Sequence, residues 1–215
     1  MCGRFTLHAG RDELEATLGV GVPESRVPEY NIGPGRAIWA QRAPEALTAV
    51  HWGKQGTKNL IINGRLETAD RLPHFREAWA RHRCLVPASG FFEWKSAGDR
   101  KHPFLLHPPD APLMLLAGLV FPHAGETGQP PPCVILTTEA NADVSDIHGR
   151  MPVALPPRDR DAWLDGAFGK SDVAERAAAA RFERRPLTAR VNSVRNNDPE
   201  VLREDEPPPE QPALF

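Results

Sequence analysis

Cysteine is scarce in this chain of 215 residues. There are three, Cys2, Cys84 and Cys133, far apart and without a Cys-x-x-Cys pair. An odd, scattered set excludes a disulfide framework and a cysteine-rich zinc site. No apolar run reaches the roughly 18 residues of a membrane span, and none follows a basic start, so neither membrane attachment nor a secretory leader is expected. Glycine-rich phosphate loops, His-Glu-x-x-His and paired-aspartate metal signatures are missing too. The expectation is therefore no metal and no organic cofactor. A strong net charge is also lacking, the formal value being -2. Its distribution says more. Asp198, Glu200, Glu204, Asp205, Glu206 and Glu210 face only Arg203 in the last stretch. The remaining body is mildly basic, which is compatible with a local anion-binding groove.

What is present is a core-forming fraction of 40% hydrophobic residues, distributed over short segments. Helical spacing is read at Gly10–Leu18, 75–82, 159–164 and, rich in alanine, 172–184, the last with Asp172 and Glu175 at capping-box spacing. Short strands are read at 37–40, 47–52, 60–63, 84–86, 90–94, 103–107, 113–121, 134–138 and 187–194. Residues 24–36, rich in proline and glycine, read as a loop. Strands and helices do not alternate regularly, which argues against a doubly wound parallel sheet. The expected fold is α+β: a single domain, residues 1–203, around a bent, mostly antiparallel sheet or open barrel with peripheral helices. Residues 204–215 form a separate acidic tail whose Pro207-Pro208-Pro209 run cannot join a sheet.

Four segments set polar groups beside apolar strands: Cys2-Gly3-Arg4, Asn63-Gly64-Arg65-Leu66-Glu67-Thr68, Gly90-Phe91-Phe92-Glu93-Trp94 and Asp146-Ile147-His148-Gly149-Arg150. Removal of Met1 would leave Cys2 with an α-amine and a thiol on adjacent carbons, a pair able to close a thiazolidine on an aldehyde or to attack an acyl group. Alternation places Phe91 and Glu93 on one strand face and Phe92 and Trp94 on the other. A carboxylate among aromatics is poorly solvated, so its pKa rises and suits it to proton transfer. His148, beside Arg150, is expected to stay neutral. Arg65 and Arg150 can each fork onto a phosphate. Taken singly, each residue has a plainer reading: a small apolar cysteine, a salt-bridged strand glutamate, an exposed loop histidine, solvated arginines, a turn asparagine.

Together and in order, these segments resemble the SRAP (SOS response associated peptidase) family, whose members covalently shield abasic sites in single-stranded DNA. The resemblance rests on Met1-Cys2-Gly3-Arg4-Phe5, the loop Tyr30-Asn31-Ile32-Gly33-Pro34, Trp52-Gly53, the Asn63–Thr68 and Cys84–Trp94 runs, Leu136-Thr137-Thr138-Glu139-Ala140-Asn141, His148-Gly149-Arg150-Met151-Pro152 and Val191–Val194. Two departures stand out. Gly64 replaces an alanine, and Lys54-Gln55-Gly56-Thr57-Lys58 replaces a continuation that carries an aromatic.

The resemblance implies that Cys2 forms a thiazolidine with the sugar aldehyde. Glu93 would move protons, His148 would assist ring opening and Asn63 would orient Cys2. Arg4, Asn31, Pro34, Trp52, Arg65, Thr137 and Arg150 would contact DNA, with Lys54 and Lys58 as further phosphate ligands. It also implies self-removal of Met1 and an abasic-site lyase activity through a Schiff base. The alternative is a cysteine peptidase with an N-terminal nucleophile acting on proteins; a third class is a non-catalytic single-strand-binding module. The expected setting is a monomer in the bacterial cytoplasm, at the nucleoid. In the tail, Gln211, Leu214 and Phe215 resemble the short peptide by which bacterial proteins dock on the replicative sliding clamp.

Overall fold

The computed structural model describes residues 2–43, 46–122 and 128–206. The chain enters β1 (Phe5–Leu7) and α1 (Arg11–Leu18). Glu13 accepts the Gly10 N–H at 2.7 Å to open α1, Leu14 and Leu18 are its buried face, and Gly19 ends it at φ 66°, a conformation that favours glycine. Part of the proline-rich stretch expected to be loop is β2 (Glu29–Ile32), because it pairs with β1. A hairpin of β3 (Ala37–Ala43) and β4 (Ala46–Trp52) follows, then the small pair β5 (Lys54–Gln55) and β6 (Leu60–Ile61), and β7 (Asn63–Arg65). Helices α2 (Leu66–Ala69) and α3 (Pro73–Arg81) lead into β8 (Arg83–Ala88), β9 (Gly90–Ala97), β10 (Arg100–His107), β11 (Met114–Val120) and β12 (Pro132–Glu139). The chain closes with β13 (Arg150–Pro152), β14 (Ala154–Leu155), α4 (Arg160–Leu164), α5 (Lys170–Ala179) and β15 (Glu183–Pro186).

Two expectations near the end are corrected. The alanine-rich helix runs over 170–179, not 172–184, and Asp172 caps it by accepting the Gly169 N–H at 2.8 Å. The last strand is 183–186, not 187–194, and Ala189–Asn192 is a 3-10 turn. Tertiary contacts override helix propensity here. Phe182 must pack edge-on against Phe91, 5.3 Å between centroids, its N–H donates to Asp143, and residues 183–186 pair with β10.

The fold is α+β and mainly sheet. One sheet, ordered β15-β10-β9-β1-β2, is antiparallel throughout. In the other, β12-β4-β3-β8-β11 closes back on β12, a ring that leaves those strands without an open edge. Strand β12 is the hub: it pairs with β4 and then β7 in parallel on one side, and with β11 and then β13 on the other. β8 belongs to the ring and β9 to the open sheet, so the chain crosses between them at Ser89. The Ser89 hydroxyl accepts the His8 and Ala9 N–H groups, and its N–H donates to Thr6 O at 2.7 Å, tying the crossing to β1. The main core fills the ring and the space under the open sheet. A smaller cluster of Phe92, Leu105, Leu187, Val191 and Val201 lies on the opposite face of the open sheet, under the C-terminal turns. No helix among the described residues is long and apolar enough to cross a membrane.

Cys84 and Cys133 are fully buried strand residues whose sulfurs approach to 3.7 Å. Gly118 on the strand between them makes room: a Cβ there would lie 2.8 Å from Cys84 Sγ and 3.0 Å from Val134 O. Gly118→Ala is therefore expected to cost about 1–3 kcal/mol by overpacking, and Cys84→Ala in the same chain should recover part of it. Thermal melts of the single and double variants check this; an unchanged melting temperature for Gly118→Ala would contradict the packing argument.

Candidate active site

The centre of the site is Glu93, delivered by strand alternation. Phe91 points into the main core and Phe92 into the smaller cluster, so Glu93 follows Phe91 toward the junction of the two sheets. It is only 4% exposed. Burial pushes its carboxyl up to about 7, against a smaller downward pull from the positive chain terminus. Cys2 arrives beside it because β1 pairs with β9, Phe5 opposite Phe91, and the Phe92 N–H donates to Arg4 O at 2.9 Å. The Cys2 thiol is fully buried; burial, and then the Glu93 charge, raise its pKa well above the ordinary thiol value. His148 comes from the loop before β13. Its Nδ1 accepts the Arg150 N–H at 2.9 Å, and burial is the first cause of its lowered pKa. A neutral imidazole is what that shift favours, here through burial more than through the neighbouring arginine.

Glu93 and His148 line one open cleft of about 420 Å³ together with Trp94, Lys101 and Asn192. A second cleft, about 380 Å³, lies between Pro108, Met114, Pro156 and Phe182 and shares none of these residues. Among the described residues, no three of His, Cys, Asp and Glu converge as metal ligands would. Asn63, on β7, donates to Ile135 O at 3.3 Å and keeps a buried side-chain oxygen without a hydrogen-bond partner among the described residues.

The residues expected to meet DNA divide into two groups. Trp52 is fully buried, packs on Phe5 at 5.2 Å and donates its indole N–H to Ile62 O; it is a core residue, not a surface for bases. Thr137 is equally buried, its side chain beneath the Arg150 guanidinium. Asn31 is buried too: its amide donates to Val191, Ser193 and Asn196 carbonyls, tying the C-terminal turns to β2. In this structure all three hold neighbouring elements in place.

Pro34 and Arg65 are exposed. Arg4 is half-buried, donating to Asn31 Oδ1 at 2.8 Å and Val191 O at 2.9 Å while its guanidinium lies over Trp94. Arg150 forks onto Glu67 at 2.6 and 3.0 Å and reaches Thr137 O at 2.7 Å. Lys54 lies over the Phe121 ring and Lys58 is exposed. The clamp-like residues Gln211, Leu214 and Phe215 lie outside the described residues.

Lys101 and Asn192 were not singled out by sequence reasoning. Asn192 accepts the Trp94 indole N–H at 2.7 Å across a separation only the fold closes. Lys101 carried a readable signal: Gly98-Asp99 is a two-residue hairpin loop, with Ala97 opposite Arg100 and Ser96 opposite Lys101.

Comparison with known proteins agrees with this frame. The SOS response associated peptidase (SRAP) family matches residues 1–194. The chain belongs to this family. The abasic site processing protein YoqW of Bacillus subtilis is 31% identical over 223 residues, covering 94% of this chain and 99% of its own length. The abasic site processing protein YedK of Escherichia coli is 28% identical over 220 residues, with 94% and 99% covered. A crystal structure of a Bacteroides thetaiotaomicron protein superposes with a TM-score of 0.81 at 21% identity, covering 95% of this SRAP chain and 100% of that one, which speaks for the fold.

The Glu93 shift carries a pH signature. Its folded value of about 7 lies above its ordinary 4.5, so folding favours the protonated form. That contribution is complete below pH 4.5 and is lost as pH rises through about 7. Glu93→Gln should flatten this part of the stability profile, so the melting-temperature difference, variant minus wild type, should grow more positive from pH 4.5 to pH 8. A difference constant over that range would show that the carboxyl is not desolvated.

Proposed function

We propose that this SRAP protein processes abasic sites in single-stranded DNA by forming a covalent thiazolidine through Cys2. The observation that carries the reading is the junction itself: the Cys2 thiol beside a carboxyl poised near neutrality, with a histidine on the same open cleft, where removal of Met1 would turn Cys2 into a terminal aminothiol. The names of the Bacillus subtilis and Escherichia coli relatives support the substrate class. Met1 is removed first, by the protein's own action, which frees the Cys2 amine. The ring-opened sugar presents an aldehyde. The amine adds to its carbon, water leaves, and the resulting iminium accepts the Cys2 sulfur; the sum is one thiazolidine and one water. Glu93, with a pKa of about 7, takes the thiol proton and returns it during reversal. His148, held neutral, moves the proton that opening of the closed sugar requires. Asn63 orients Cys2 through its buried oxygen. Arg4, Arg65 and Arg150 hold phosphates, Arg150 by exchanging Glu67 for the DNA, and Pro34 lines the strand's path. Holding the reactants together supplies much of the rate, since effective molarities of aligned groups reach about 10⁵ M or more. The iminium also opens a route to strand cleavage by β-elimination.

Wild-type protein with a free Cys2 amine should give a denaturation-resistant adduct with an abasic oligonucleotide. Cys2→Ala, or a tag that blocks the amine, should abolish it. Cys2→Ser should retain an iminium that borohydride traps but lose the stable adduct. Denaturing gels decide this. A blocked N-terminus that crosslinks as fast as a free one would end the thiazolidine mechanism. Cleavage of a peptide panel without any DNA adduct would favour the protein-directed peptidase, and salt-sensitive binding without adduct a plain binding module.

The tail peptide Gln211-Pro212-Ala213-Leu214-Phe215 adds a partner, the bacterial sliding clamp. Leu214 and Phe215 would fill an apolar pocket and Gln211 its rim, raising the concentration of Cys2 at replication forks. A fluorescent peptide of residues 204–215 should bind a bacterial clamp with a micromolar dissociation constant and lose binding on Leu214→Ala with Phe215→Ala. Absence of saturable binding would remove the clamp from the proposal.

A further inference from the structure

The cations around the cleft are not equivalent. Arg4 is held by Asn31 and the Val191 carbonyl, and Arg150 by Glu67. Lys95 and Arg184 share Asp146, at 2.7 and 2.5 Å, and Arg190 holds Asp198. Each of these already has a polar or ionic partner. Lys101 lines the cleft, is exposed, and has no ion pair among the described residues. Arg65 is also exposed, but it stands on β7, paired to β12, and does not line the cleft.

Position adds to availability. β9, which carries Glu93 and Trp94, lies between β1 and β10. Arg4 immediately precedes β1 and meets β9 at Phe92, while Lys101 meets β9 from the β10 side, opposite Ser96. The two cations therefore approach from opposite flanks of the strand that carries the reacting carboxyl. A sugar seated over Glu93 has one phosphodiester on each side.

We propose that Lys101 is a phosphate-binding residue of the cleft, taking the phosphodiester on the β10 side of the reacting sugar while Arg4 takes the one on the β1 side. Lys101 binds as a mobile point charge on a flexible stem, without reading base identity. Among the described residues, its ammonium is the one lysine or arginine group in the cleft lining, and no ion pair holds it. The position of the phosphate beside the reacting sugar rests on the proposed function; the phosphate contact itself does not, because ordinary single-stranded DNA offers the same group.

The test uses full-length protein and two DNAs, an intact oligonucleotide and one bearing an abasic site. Binding of the intact strand is measured across a salt series for wild type, Lys101→Gln and Lys101→Arg. Lys101→Gln should weaken binding about equally for different base sequences and reduce the slope of log affinity against log salt by about 0.7, the single-strand value for one lost phosphate contact. Lys101→Arg should restore the slope. At subsaturating abasic DNA, Lys101→Gln should slow adduct formation, while saturating DNA should bring it back toward wild type. Lys101 is exposed, and equal melting temperatures would show that the variants fold. An unchanged slope in Lys101→Gln, or a reduced slope that arginine does not restore, would overturn the assignment. If wild type binds intact strand with the expected slope change but forms no adduct, the covalent reading fails and the Lys101 contact stands.

Discussion

Desolvation of one carboxyl is the constraint on which the site depends. Glu93 is 4% exposed at the junction of the two sheets, and removing it from water lifts its pKa to about 7. A solvated glutamate would be ionised at neutrality and a poor proton donor. The surroundings that desolvate Glu93 are the fold itself: Phe91 in the main core, Phe92 in the smaller cluster, and β1 along one side of β9. The same burial raises the pKa of the Cys2 thiol, and the Glu93 charge adds to the rise. The carboxyl and the thiol are coupled through a shared lack of water.

That junction needs its supports at a distance. Asn31 is buried and ties the turns at 191–196 to β2, and in doing so receives Arg4. Asn192, from the same turns, holds the Trp94 indole, and Arg4 lies over the Trp94 ring. The chain's beginning and its last turns are thus tied together around the cleft. Ser89 does the equivalent work at the other end of β9, binding the crossing between the two sheets to the residues after β1. Arg150 is a different case. Its guanidinium forks onto the planar carboxylate of Glu67, across the segments that carry β7 and β13.

Several features were legible in the residues alone. Alternation along Phe91-Phe92-Glu93-Trp94 placed the carboxyl on the Phe91 face, because a strand has a side-chain period of two whatever it packs against. The helix ending at Gly19 was readable because a left-handed residue after periodic leucines favours glycine. Burial of Cys84 and Cys133 followed from their apolar neighbours. In contrast, residues 180–184 misled: the run of alanines that ends at Ala180 has high helix propensity, and pairing with β10 and the seat for Phe182 break it. Glu29–Ile32 misled in the opposite sense, the prolines and glycines on either side of it signalling loop while β1 recruits it as a strand.

By itself the sequence determined the family, the α+β class and the set of reactive groups, because these reside in local motifs and in side-chain chemistry that travels with the residue. Tertiary structure decided which groups line the cleft. Trp52, Thr137 and Asn31 sit in family motifs yet are buried, because core packing and capping of distant carbonyls use the same side chains that a surface would. Lys101 lies outside those motifs and Asn192 within the last of them, yet both line the cleft with Glu93, because strand pairing and a C-terminal turn bring them there. Exposure is a property of the whole packed chain. No local pattern encodes it, and it separates a residue that supports the cleft from one that can touch what enters it.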